Sequence, residues 1–362
     1  MTKLLITGGC GFVGAAVCRR LLVARSDLSI TVLDSLRRAG SETNRQSLTA
    51  LGVTVVHGDI RLASDIDSLG AGLGSFDWVI DAAAEPSVLA GTAAGAAVGK
   101  SVSTRQLLEH NLGGTMNLLE AAARWNAGVI LLSTSRIYSI EALSSLPLVE
   151  QENPARRAAA FVVDQAAAGG LPMGVGPAGI TEQFSTAAPV SLYGATKLAS
   201  ETLAAEYAHR FGTPLLINRC GVMAGAGQFG RADQGIFSWW IRRWQARRPL
   251  GYIGFGGRGL QVRDCLHPDD LADLLLVQLA TPPSRPAVVN VSGGADSAWS
   301  LAQLSAWCRE QLGPHEVSAS AETRPYDLAW VVLDHSQASG QFGWQPRRTT
   351  ESILAEIAGV PA

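Results

Sequence analysis

Along the first 220 positions the apolar residues fall into short unbroken runs rather than alternating ones. KLLIT (3–7), SITVLD (29–34), VTVVHGD (53–59), DWVIDAA (77–83), GVILLST (128–134) and PLLINRC (214–220) read as strands. Unbroken apolar strands are what a sheet buried on both faces requires. Helical stretches lie between most of them, near 12–25, 41–51, 104–126 and 194–211. Strand, helix, strand in repetition implies right-handed crossovers and a parallel sheet with helices on both faces. The pattern predicts an α/β chain of Rossmann type, doubly wound, with a smaller C-terminal lobe.

Two regions break the rhythm. Residues 140–190 are rich in Ala, Gly and Pro and read as an insertion lying over a site; residues 86–103 read as a flexible loop after the fourth strand. Beyond 219 the order is less regular, with Trp239, Trp240 and Trp244 on one helix and the turn GFGGRG after it. The expected division is a nucleotide-binding domain over 1–218, carrying the insertion, and a substrate lobe mainly over 219–362. That lobe is interleaved with the last sheet elements near 266–291.

Composition narrows the class. A net charge of −2 over 362 residues gives no global basic field for nucleic acid. The cluster Arg242, Arg243, Arg247 and Arg248 reads as a solvated helix face. The five cysteines are scattered, odd in number and form no Cys-x-x-Cys pair. They read as reduced core thiols, with no metal site. No signal-peptide layout precedes the first strand and no run reaches membrane-spanning length, so a cytoplasmic protein is expected.

The chemistry begins at TGGCGFVG. Gly8, Gly11 and Gly14 follow a strand and open a helix, with Phe12 and Val13 in its first turn. Such glycines allow a tight turn, close approach of a pyrophosphate to the backbone, and close packing of helix on strand. Twenty residues past Gly14 stands Asp34, placed to accept from a ribose 2′-hydroxyl. A carboxylate there repels a 2′-phosphate, which favours NAD over NADP, while Arg37 and Arg38 keep NADP open. Asp59 and Ile60 are placed for the adenine end. Ser133, Thr134 and Ser135 close the fifth strand, at the carboxyl edge where open α/β sheets bind ligands. Tyr193 and Lys197, four apart, share a helix face. For a phenol to act as a base near neutrality its pKa of about 10 must fall by roughly 3 units.

Together the segments TGGCGFVG, HGDIR, NLGGTMNLLEAA, LLSTSRIYS, YGATK, GLQVRDCLHPDDLA and RPYD resemble the extended short-chain dehydrogenase/reductase superfamily. Within it they look like the NAD-dependent nucleotide-sugar epimerases and dehydratases, and most like the group of CDP-paratose 2-epimerases. The resemblance implies Tyr193 as catalytic base, Lys197 as its partner and Thr134 as the hydroxyl that holds the reacting oxygen. It adds Ala82, Ala83, Ala84 and Asn111 to the NAD site. It places Arg136, Arg219, Gln234, Arg263 and Arg324 toward a nucleotide-sugar substrate. A homodimer through 104–126 and 194–211 is expected by analogy. The implied reaction oxidises a sugar hydroxyl transiently and returns hydride to the opposite face. Net dehydrogenation, or a non-catalytic NAD sensor, are the alternatives. Three departures stand out: Ser139 where the family has glycine, 59 residues between Thr134 and Tyr193, and Ser135–Arg136 where dehydratases carry an Asp-Glu pair.

Overall fold

The protein, seen here in a computed structural model, is described over residues 1–90, 102–231, 234–320, 322 and 326–361. Its main sheet consists of β1 (Thr2–Thr7), β2 (Leu28–Asp34), β3 (Thr54–His57), β4 (Trp78–Asp81), β5 (Gly128–Thr134), β6 (Leu215–Cys220) and β7 (Ala287–Val291). All pairs are parallel, in the order β7-β6-β5-β4-β1-β2-β3. The order reverses at β1, whose neighbours are β2 and β4, and a crevice at such a reversal is where ligands bind. Register aligns the strand ends: Thr7 lies opposite both Leu33 and Asp81, Asp34 opposite His57, and Cys220 opposite Thr134.

The unbroken apolar runs have a direct cause. Leu4, Ile6, Ile30, Val32, Ile80 and Ile130 face one layer and pack with Val17 and Leu21 of helix Phe12–Ala24 and Leu271 and Leu275 of helix Pro268–Ala280. The intervening residues Leu5, Leu33, Val79, Val129 and Leu131 face the other layer, against Leu118 and Leu119 of helix Gly114–Trp125 and Ala204 and Ala208 of helix Ser191–Phe211. Both faces are covered, so neither tolerates alternation with polar residues.

Several expectations shift. The helix expected at 194–211 starts three residues earlier, at Ser191. The helix expected at 104–126 is interrupted by a π-helical turn over Glu109–Gly113. Of the loop expected at 86–103, residues 91–101 lie outside the described residues. The largest correction concerns the insertion. It folds into a short helix (Ile140–Ser144), an antiparallel hairpin (Leu148–Asn153 with Ala158–Val163) and a small β pair (Val175–Gly176 with Gly179–Ile180). Its apolar side chains pack against Leu328, Trp330, Val332 and Leu333, and Ile180 N–H donates to the Val332 carbonyl at 2.8 Å. It packs on the segment 328–333 and adds no side chain to the lining of the crevice.

One polar cluster is buried where the sheet meets the 191–211 helix. Ser133 at the end of β5 donates to Glu201, and Glu201 pairs with Arg219 of β6 at 2.8 Å, the two side chains 6% and 10% exposed. Arg219 also donates to the Glu182 carbonyl at 3.3 Å and to the Tyr138 hydroxyl at 3.4 Å. Removing one partner leaves the other charge buried and uncompensated, which costs about 3–5 kcal/mol. Urea unfolding of Glu201→Ala is expected to show a loss of that order, and Glu201→Leu combined with Arg219→Met a smaller one. A single variant as stable as the parent refutes the tie.

Candidate active site

The glycine turn is tight because nothing larger fits. Gly8 has φ of +64°, and a Cβ there would lie 2.9 Å from the Ala83 Cα; at Gly14 a Cβ would lie 2.5 Å from the Gly8 carbonyl oxygen. The Gly11 N–H donates to that carbonyl at 3.0 Å. Helix Phe12–Ala24 starts at Gly11 with no side chain capping it, so its first N–H groups face the crevice as an anion seat. Asp34 cross-braces the turn, accepting from the N–H of Cys10 at 2.9 Å and of Leu36 at 2.8 Å. These residues line one cavity of about 650 Å³, together with Phe12, Val13, Asp59, Ile60, Ala82, Ala83 and Ala84. That volume is in the range of cofactor and ligand clefts.

The predicted cofactor residues are not equivalent within it. Asp59 accepts from Arg61 Nε at 3.0 Å, and this partner holds its carboxyl below the usual range. Ile60 fills the space left by Gly114, where a Cβ would meet the isoleucine side chain at 2.4 Å. Asn111 sits in the π-helical turn and does not line the cavity. Its amide is bonded to the main chain of Glu85 at 2.8 and 3.1 Å and to the Thr196 hydroxyl at 3.2 Å. It supports the wall from behind. Arg38 reaches across the mouth to Gln234 at 3.3 Å and pairs with Glu85 at 3.4 Å.

At the other end of the cavity, Thr134 leaves β5 and helix Ser191–Phe211 begins. A Cβ on Gly194 would lie 2.2 Å from the Arg136 carbonyl oxygen, so the helix is pressed directly onto the turn after β5. This contact sets Tyr193 beside Thr134, near enough for the threonine hydroxyl to favour the ionised phenol. Burial pushes that phenol up to about 12, against the Thr134 hydroxyl and the positive charge of Arg136, which both pull it down. Lys197 is 2% exposed; burial lowers its pKa while Asp81 and Glu201 raise it. The charge of Lys197, one turn along the helix from Tyr193, is favoured by Asp81 and Glu201, and Arg136 is a cation that favours the ionised phenol.

Among the residues expected at the substrate, Arg136, Gln234 and Arg263 line the cavity. Arg136 Nη1 donates to the Tyr326 carbonyl at 3.3 Å, and Arg263 pairs with Asp327 at 3.1 Å. Arg219 does not line it, being spent on the buried cluster above. Arg324 lies outside the described residues. Sequence reasoning missed Glu85, a carboxylate in the cavity wall directly after Ala82–Ala84. Its position at the exit of β4 was the available signal.

The family model described as the NAD dependent epimerase/dehydratase family matches residues 4–292. The chain belongs to that family. Its cofactor is NAD, and the glycine turn, the bare helix N-terminus and Asp34 fit a dinucleotide. Among similar proteins is the CDP-paratose 2-epimerase of Salmonella typhi, 28% identical over 95% of both chains. A dTDP-glucose 4,6-dehydratase of Mycolicibacterium smegmatis is also 28% identical, over 96% of this chain and 89% of its own. In fold the chain is similar to the Thermus thermophilus UDP-glucose 4-epimerase solved with NAD, at a TM-score of 0.73 and 22% identity, covering 99% and 98% of the two chains. Among the described residues no helix is long and apolar enough to cross a membrane.

Two measurements check this site. NAD at 100 times its dissociation constant should stabilise folding by about 2.7 kcal/mol; a melting temperature indifferent to NAD contradicts the cofactor assignment. Because the folded phenol of Tyr193 titrates above the unfolded one, its contribution to stability is complete below about pH 10 and lost as pH rises toward about 12. Wild type is therefore expected to lose more stability than Tyr193→Phe between about pH 9 and 11 in urea unfolding. Equal losses contradict the buried, protonated phenol.

Proposed function

We propose that this protein is an epimerase of a nucleotide sugar, working by transient oxidation of a ring hydroxyl. The observation that carries the reading is the pairing of Thr134 and Tyr193 at one end of the dinucleotide cavity, with Ser135 and Arg136 next in the chain. Elimination of water needs an acid to protonate the departing hydroxyl, and neither Ser135 nor Arg136 is one. The likeness to CDP-paratose 2-epimerase over nearly the whole chain supports the same direction.

NAD, when bound, supplies the hydride acceptor and returns the hydride. Gly8, Gly11, Gly14, the first turn of the following helix, Asp34 and Ala82–Ala84 would hold it. Thr134 bonds the sugar oxygen and fixes its distance from the phenol. Tyr193, as phenolate, takes the hydroxyl proton when the carbon is oxidised and gives it back when the carbon is reduced. Positive charge is what that phenolate needs, since burial alone favours the neutral phenol. Arg136 supplies part of it, and Lys197, one turn along the helix, adds a buried cation. Because the ketone is reduced again in the same cavity, turnover consumes no cofactor. The expected dimer through 104–126 and 194–211, and the cytoplasmic location, belong to the same proposal.

Proton NMR of the NAD-loaded protein with nucleotide sugars should show conversion to an epimer without net NADH. Tyr193→Phe should slow it by about 10²–10⁴-fold. Accumulating NADH indicates a dehydrogenase, and a keto-deoxy sugar product indicates a dehydratase; either overturns the epimerase reading.

A further inference from the structure

We propose that Phe229 and Gln234 gate the cofactor: with Gly40 and Arg38 they form a clasp across the mouth of the cavity that must open before NAD enters or leaves. The two jaws come from distant parts of the chain. One is the loop 35–40 between β2 and helix Ser41–Ala50. The other comprises residues 228–231 and 234–235, ahead of helix Ile236–Gln245. Arg38, Phe229 and Gln234 line the same cavity as Asp34 and the glycine turn.

Each jaw is held in shape by its own bonds. Asp34 accepts from the N–H of Leu36 at 2.8 Å, and Asn44 Nδ2 donates to the Cys10 carbonyl at 3.0 Å, so the first jaw is tied to the dinucleotide turn on both sides. In the second, the Arg231 N–H donates to the Gln234 carbonyl at 2.7 Å. Gln228 Nε2 donates to the Met223 carbonyl at 2.9 Å, and its Oε1 accepts from the Ser238 hydroxyl at 2.7 Å. The jaws then meet twice. Arg38 Nη1 donates to Gln234 Oε1 at 3.3 Å. The ring of Phe229 lies on Gly40, where a Cβ would fall 2.3 Å from it. Gly40 has φ of +86°, a conformation that favours glycine and so keeps that backbone bare for the ring. Phe229 is 56% exposed and takes its position from Gly40 and from Arg242, whose guanidinium stands 5.6 Å from the ring centroid. Arg242 itself does not line the cavity.

Both meetings join protein to protein. Loosening them therefore speeds passage in both directions and leaves the binding equilibrium nearly as it was, whereas losing a side chain that binds NAD weakens affinity along with retention. Exchange of bound NAD for isotopically labelled NAD, followed by mass spectrometry, reads the release rate of the loaded protein. Equilibrium dialysis with the labelled NAD reads the dissociation constant. Phe229→Ala should speed release about ten-fold while the dissociation constant changes by less than about two-fold. Gln234→Ala should speed release by about two- to ten-fold. Arg242→Gln, which acts only from behind the ring, should speed it by about two- to five-fold. A release rate unchanged in both Phe229→Ala and Arg242→Gln overturns the clasp. So does a dissociation constant that rises by the same factor as the release rate, which makes Phe229 a contact of NAD and nothing more. Neither outcome touches the epimerase reading, since no sugar is present in the measurement.

Discussion

The site depends on one contact, Gly194 against the carbonyl oxygen of Arg136. A Cβ at 194 would sit 2.2 Å from that oxygen, so only glycine allows the helix to begin where it does. The chain runs 59 residues from Thr134 to Tyr193, and no local preference carries a phenol back over that distance. The helix start is shaped for the contact: Ser191 has φ of +67°, and its hydroxyl accepts the Gly194 N–H at 3.1 Å. Two turns further on, Glu201 is locked to Ser133 and Arg219. Tyr193 and Lys197 therefore fall within a helix segment pinned at both ends to β5 and β6. A proton-transfer group held this way needs little reorganisation when substrate arrives.

The electrostatics follow from the same two pins. Glu201, which closes the buried pair with Arg219, is also one of the two acids that favour charged Lys197. The other, Asp81 at the end of β4, accepts from the hydroxyls of Thr7 and Thr115, each at 2.8 Å. Lys197 thus belongs to a network spanning β1, β4 and two helices. Its charge is held in place by the fold and is shared with groups that do not touch substrate. Arg136 is differently placed, in the wall of the cavity and close enough to Tyr193 to favour its ionised form. Two cations serve one phenol, one of them through the fold and the other through the site.

What the sequence made legible was local or periodic. The strands, the glycine turn, Asp34 and the Tyr193–Lys197 spacing each reflect a rule acting over a few residues. The seven parallel strands and the positions of Thr134, Asp34 and Ala82–Ala84 at their carboxyl edge follow from those rules. Long-range choices were not legible. Arg219 stands at the end of an apolar strand, as a ligand-binding arginine would, and only the position of Glu201 shows that its charge is already matched. Asn111 belongs to a recognisable segment, yet its amide is spent on Glu85 and Thr196 because the π-helical turn swings it there. Glu85 carried no periodic or motif signal, since one acid after a strand is common until the cavity forms around it.

The insertion is the sharpest of these cases, and it changes where specificity is to be sought. Residues 140–190 contribute nothing to the described cavity lining, but they hold part of its wall. Arg156 donates to the carbonyls of Asp296 and Ala298 and stacks over the ring of Trp299 at 5.0 Å, and Trp299 lines the cavity. Ser300, next in the chain, donates to the Ala159 carbonyl at 2.8 Å. The hairpin therefore fixes the strand Ala298–Ser300, which pairs with the strand Val262–Leu266 that carries Arg263. Changes in the insertion reach substrate through the rigidity of that wall, and changes in charge selectivity must arise in the wall itself.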